Sequence, residues 1–187
     1  METPHIYDRL APLFAYPGDT YATGAAQCLA AMRGEQPEAV PALEEFCAAI
    51  APMTTDEIQE LFTRTFDLNP LCTLEIGWQL WGEDYGRGAF LVKMRDQLRG
   101  YDLAESGELP DHLTHALALL ARLEPDEAAA FAGGFVLHAL DKMRTGWREN
   151  RNAYAALLES TFVLLKSRYP YLAAAAPVRR PELPVLQ

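Results

Sequence analysis

The stretch TTDEIQELFTRTFDLNP, residues 54 to 70, decides the fold class. Thr54 and Glu57 stand in capping-box spacing, in which each side chain satisfies the other's free backbone N–H at a helix start. Behind that start, Ile58, Leu61, Phe62 and Phe66 recur at helical period and form one apolar stripe. Asn69-Pro70 stops the run, because a residue before proline is pushed out of the helical region. A start, a stripe and a stop together predict an amphipathic helix with one face committed to a core.

The same grammar repeats outward in both directions. Upstream, Ile6, Leu10, Leu13 and Phe14 share helical spacing up to Tyr16-Pro17-Gly18. An alanine-rich helix follows from about Thr20 to Met32, and Val40, Leu43, Phe46, Cys47 and Ile50 line a third. Downstream, a short helix is predicted from Leu71 to Leu80, then a loop, WGEDYGRG, before helix resumes in AFLVKMRDQL. Pro110 and Pro125 each occupy the place of a first helical residue, where the missing N–H costs nothing. Asn150 or Asn152 would cap a last helix reaching about Tyr169. No period-2 strand, hairpin dipeptide or internal repeat interrupts this pattern. The prediction is a single all-α domain over residues 1–169, a bundle of about eight or nine helices, with a proline-punctuated flexible tail at 170–187.

The composition narrows the function classes. The chain has 187 residues, half of them hydrophobic, with 22% charged and 10% aromatic, which suits one folded domain rather than a disordered chain. Its formal net charge is −10. Such a surface repels nucleic acid and anionic lipid and suits basic partners. Cys28, Cys47 and Cys72 lie far apart and are odd in number, so they predict reduced, mostly buried thiols and a cytoplasmic setting. No basic segment leads into an apolar run at the N-terminus, and no apolar run approaches about 18 residues, so neither a signal peptide nor a membrane span is expected.

Two segments concentrate chemistry. In ELPDHLTHALALL, residues 108 to 120, Asp111 and His115 share a helical face, as do His112 and His115. A metal needs more: zinc takes three protein ligands even at a catalytic site, and nothing nearby in sequence completes the set. Asp111 also fits a helix start electrostatically, since a carboxylate there meets free N–H groups. With Leu113, Leu117 and Leu120 as the core stripe, Asp111 and His115 are predicted to face outward and His112 to lie at the flank. His138, inside GGFVLHAL, is predicted in the core or a groove. The second segment, LCTLEIGWQLWGEDYGRGAF, sets Trp78, Trp81, Tyr85 and Phe90 beside Glu75, Glu83 and Asp84. Trp78 is predicted in the core, and Trp81, next to the loop, on a groove. Arg87 is predicted to serve as a structural ion-pair partner. Aromatics beside carboxylates suit an amphipathic peptide carrying arginines. Phosphate-loop, dinucleotide, serine-hydrolase and zinc-protease signatures are all absent.

Taken together, LFTRTFDLNP, LEIGWQLWGEDYGRGAFLVKM and the Pro-Asp-His of ELPDHLTHALALL resemble the redox-enzyme maturation chaperones, closest to the nitrate-reductase delta-subunit (NarJ) branch and related to the TorD/DmsD type. The likeness covers about residues 55 to 145. It implies a non-enzymatic cytoplasmic chaperone, without cofactor or metal of its own. The implied partner is the apo form of a molybdenum-containing catalytic subunit. Such a chaperone binds that subunit's N-terminal, often twin-arginine, segment until the molybdenum cofactor is inserted. The resemblance carries peptide binding to Asp111 and His112 and a groove-lining role to Leu61, Phe62 and Phe66; Trp81, Tyr85 and His115 are predicted to join that peptide-binding site. Where the branch has a histidine-containing stretch before its glycine loop, this chain has EIGWQLWG, which leaves the identity of the client open. His112, if it titrates near neutrality, would make the grip pH-sensitive. Two other readings stand beside this one: a stable accessory subunit, and a metal-dependent hydrolase using Asp111, His112 and His115. A monomer or a homodimer is compatible with the pattern, and Arg179-Arg180 in the tail could mimic a client's basic motif.

Overall fold

A computed structural model describes residues 5–69, 71–146 and 152–176. Among these residues the chain forms nine helical rods and no strand, as the helical periodicity predicts. The α-helices are α1 (Ile6–Leu10), α2 (Tyr21–Glu35), α3 (Val40–Ile50), α4 (Thr55–Phe62) and α5 (Ile76–Trp81). They continue with α6 (Tyr85–Gly100), α7 (Leu113–Leu120), α8 (Pro125–Phe131), α9 (Leu137–Gly146) and α10 (Ala153–Arg168). A π-helical turn, Ala132–Val136, joins α8 and α9 into one continuous rod, and another, Thr63–Asp67, prolongs α4.

The core is organised around α10. From Tyr154 to Leu165 nearly every side chain is buried, and a helix apolar on all sides must sit inside. It packs against α3 on one side and α9 on the other, while α2 covers α3. The polar groups it carries inward are satisfied: Ser160 donates to the Ala39 carbonyl at 2.8 Å and Thr161 to its own helix at Leu157. Asn152 caps it, accepting from the Tyr154 N–H at 2.9 Å and donating to Thr65 Oγ1 at 2.7 Å. The central helix is thereby tied to the π turn after α4. Asn150, the other predicted cap, lies outside the described residues.

The opening stretch forms as its sequence dictates. Thr54 N–H donates to Glu57 Oε2 at 2.7 Å, and Glu57 N–H returns to Thr54 Oγ1 at 3.3 Å. Beyond Phe62 the ladder widens, with Leu68 N–H donating to the Thr63 carbonyl. Phe62 and Phe66 stand 4.9 Å apart and both lie against the Tyr154 ring.

Two local expectations are overturned by long-range pairing. The helix predicted from Leu71 begins only at Ile76, because the preceding residues run extended beside the 111–113 segment. Ile76 N–H donates to the Asp111 carbonyl at 3.0 Å and Leu113 N–H to the Leu74 carbonyl at 2.9 Å, forming a single antiparallel bridge between Glu75 and His112. For the same reason α7 does not start at Pro110. Pro110 and Asp111 precede the helix, and His112 is its cap. Pro125, by contrast, is the first residue of α8.

The first residues of the predicted tail lie against the rod at Gly133-Gly134. Leu172 N–H donates to the Gly133 carbonyl at 3.3 Å and Ala175 N–H to that of Gly134 at 3.0 Å, while His138 Nε2 meets the Leu172 carbonyl. Gly133 has no room for a side chain, since the Pro170 carbonyl and Leu172 fill the position a Cβ would take. Residues 177–187, including Arg179 and Arg180, lie outside the described residues.

Candidate functional site

The bridge between Glu75 and His112 forms one wall of a cleft of about 390 Å³. Phe62 and Phe66 supply an aromatic side from the end of α4, with Asp67 at the lip. Thr73, Leu74 and Glu75 come from the extended segment, Trp78 from α5 and Arg87 from α6. Glu108 and His112 close it from the segment before α7. Among the described residues the lining therefore combines Phe62, Phe66 and Trp78 with three carboxylates and one guanidinium.

Asp111 holds this wall in place from beneath. It is fully buried, and its Oδ2 accepts the Gly77 N–H at 2.8 Å, capping the start of α5 from 34 residues away in sequence. Gly77 must be a glycine here: a Cβ would stand 2.7 Å from Asp111 Oδ2 and 3.1 Å from the Phe90 ring. Burial pushes the Asp111 carboxyl above its ordinary range, and the Gly77 N–H and the Arg87 charge pull it back. Its Oδ1 is also buried and has no hydrogen-bond partner among the described residues. Glu75 likewise titrates higher than usual because it is partly buried. Its Oε2 accepts a hydrogen bond from Thr73 Oγ1.

His112 caps α7 through Nδ1, which accepts the Thr114 N–H at 3.3 Å and lies 2.8 Å from Thr114 Oγ1. Burial, aided by the neighbouring His115, lowers its pKa to about 4. The imidazole is thus neutral at physiological pH, which overturns a pH-sensitive grip near neutrality. His115 has both ring nitrogens engaged: Ser106 N–H donates to Nε2 at 3.1 Å, and Nδ1 lies 2.9 Å from the Leu109 carbonyl.

A family model described as the nitrate reductase delta subunit matches residues 30–159, more than half of the chain. The chain belongs to the nitrate reductase delta subunit family. This is the branch whose Pro-Asp-His and glycine-loop segments the sequence resembles. No curated protein matches the chain.

In this delta-subunit family member the predicted site residues divide. Phe62, Phe66 and His112 come together in the cleft, and Asp111 lies directly behind its wall. Asp111 and His115 do not face outward: both are buried, because the turn at Ser106–Leu109 and the start of α5 cover the side that a local helix reading leaves to solvent. Leu61 is half-buried against the core, and Tyr85, 54% exposed, stands at the start of α6 away from the cleft lining. Trp81 and Trp78, both partly buried, depart from their predicted places. Trp81 packs edge-on against Phe90 at 5.1 Å and Phe135 at 6.1 Å, whereas Trp78 lines the cleft.

Periodicity missed Asp67, at the end of the π turn, Thr73, in the extended segment, and Glu108, in a bend, because no regular helical stripe marks a face there. Arg87, predicted as an ion-pair partner, has its guanidinium over the Trp78 ring at 5.2 Å instead. Among the described residues no group of three His, Cys, Asp or Glu side chains is placed to hold a metal ion, and none of the helices is long and apolar enough to cross a membrane.

Proposed function

We propose that this protein is a maturation chaperone whose cleft, between the end of α4, the 73–78 segment and His112, receives the basic N-terminal segment of a molybdenum-containing nitrate reductase catalytic subunit. In this reading it acts in the cytoplasm and releases the subunit once the molybdenum cofactor is in place. The observation that carries it is the lining itself, in which Phe62, Phe66 and Trp78 lie among Asp67, Glu75 and Glu108. An amphipathic helix with arginines on its polar face buries its apolar side on such aromatics and meets carboxylates at the rim. Asp111 serves the site by fixing Gly77, and through it Trp78, rather than by touching the client.

Calorimetric titration with the N-terminal peptide of the associated catalytic subunit tests the reading. Trp78→Ala, and Glu75→Gln with Glu108→Gln, should each weaken binding by about tenfold, the scale of one or two lost aromatic or charge-assisted contacts. Affinity unchanged in both would remove the cleft from consideration. A metal-dependent hydrolase has nothing to recommend it here. Both nitrogens of His115 and one oxygen of Asp111 are already committed within the fold. A permanent accessory subunit differs from a chaperone in one measurable respect: it would co-purify with mature membranes, whereas a chaperone is recovered with immature client.

A further inference from the structure

Among the described residues that line the cleft, Arg87 carries the one positive side chain. Several other arginines find carboxylates: Arg33 meets Glu44, Arg95 meets Glu105, Arg144 meets Glu159 and Arg168 meets Glu35, whereas Arg9, away from the cleft, shares with Arg87 a buried Nε that lacks an acceptor among the described residues. Arg87 has no carboxylate within ion-pair distance among the described residues, and its Nε is buried with no acceptor. The neighbouring acids are engaged elsewhere only in part, since Asp111 Oδ1 has no partner among the described residues. Glu75 accepts from Thr73, and Asp111 accepts from Gly77. Arg87 nonetheless acts on both by charge alone, favouring their ionised forms.

Its position is also fixed in advance. The Arg87 stem runs close to the backbone of α5, with Cγ 3.2 Å from where a Gly77 Cβ would stand, and the guanidinium is held over the Trp78 ring. A buried donor left unmade costs free energy that a bound acceptor would recover, and a planar guanidinium presents a fork that matches a carboxylate.

We infer that Arg87 on its Trp78 platform is a specificity subsite for a carboxylate side chain of the bound segment. This rests on the cleft being the peptide site. It makes the cleft's preferred partner a basic amphipathic helix that also carries one acid, read against Arg87, rather than a segment with positive charge only. The three acids of the lining select for arginines, and the single arginine fixes the register in which they bind.

The test uses the full chain and a set of amphipathic helical peptides. Each bears two adjacent arginines, and a single polar position is changed from Gln to Glu or to Lys, one position per peptide. The wild-type protein should favour one Glu peptide over its Gln counterpart by about fivefold, the scale of one charge pair at a partly desolvated site. Arg87→Gln should abolish that preference. Arg87→Glu should invert it, so that Lys at the same position becomes the favoured residue; this ratio is readable even if the variant binds less well overall. No Glu preference in the wild type, or one that survives Arg87→Gln, overturns the subsite while leaving the peptide cleft standing, as would be so if water joins Arg87 to Asp111 for structure alone. Failure of every peptide to bind overturns both. Saturable binding of inorganic phosphate that disappears in Arg87→Gln, without any Glu preference, would assign Arg87 to a free anion and overturn the proposal.

Discussion

His112 ties the chemistry of the cleft to the stability of the fold. Its folded pKa, about 4, lies below the ordinary histidine value of 6.5. Between those values the unfolded chain takes up a proton that the folded chain refuses, so stability falls as pH drops through that window. The full effect amounts to about 3 kcal/mol at the acid end. Asp111 and Glu75, both raised by burial, act in the opposite sense and bind protons more readily when folded. His112→Asn isolates the histidine, because an asparagine side chain can still cap α7 at the Thr114 N–H but does not titrate. Denaturant unfolding from pH 7 to pH 4 should show a shallower loss of stability in the variant than in the wild type. Identical slopes would mean that His112 is not held neutral by burial.

At the scale of elements, the pairing of α5 with the segment before α7 builds the cleft wall. Leu74 to Gly77 and Asp111 to Leu113 exchange three hydrogen bonds, two between backbones and one from the Gly77 N–H to the Asp111 carboxylate. Glu75, Trp78 and Arg87 are placed as a group by this staple. Gly77→Ala should therefore destabilise the fold by about 1–3 kcal/mol, the range for forcing an added methyl into a packed site. It should also lower peptide affinity, although Gly77 itself does not line the cleft. Thermal unfolding with parallel peptide titration checks both halves. A variant with native stability and native affinity would show that α5 can shift away from Asp111 freely.

At the scale of the whole molecule, the net charge of −10 and the three carboxylates of the cleft act together on any basic partner. Raising salt from about 0.05 to 0.5 M shortens the screening length from roughly 14 to 4 Å and should weaken binding of an arginine-bearing peptide several-fold, chiefly through a slower on-rate. Stopped-flow association across that range reads the effect directly. A salt-independent on-rate would leave apolar burial as the sole attraction.

The sequence by itself determined the all-helical class and most of the helices, though not where α5 and α7 begin. The Thr54–Glu57 capping box, the Ile58–Phe66 stripe and Pro125 at the start of α8 stand where local rules put them, because each rests on contacts within a few residues. The family was legible for the same reason, in contiguous motifs. The orientation of those motifs was not. Asp111, His115 and Trp78 each face away from the side that helical period assigns them, because their surroundings are set by chain far away in sequence. Asp111 is turned inward by the Gly77 N–H, and His115 is covered by the Ser106–Leu109 turn. Backbone groups that local helix leaves unpaired must find partners somewhere, and only the tertiary structure decided that those of α5 and α7 would find them in each other.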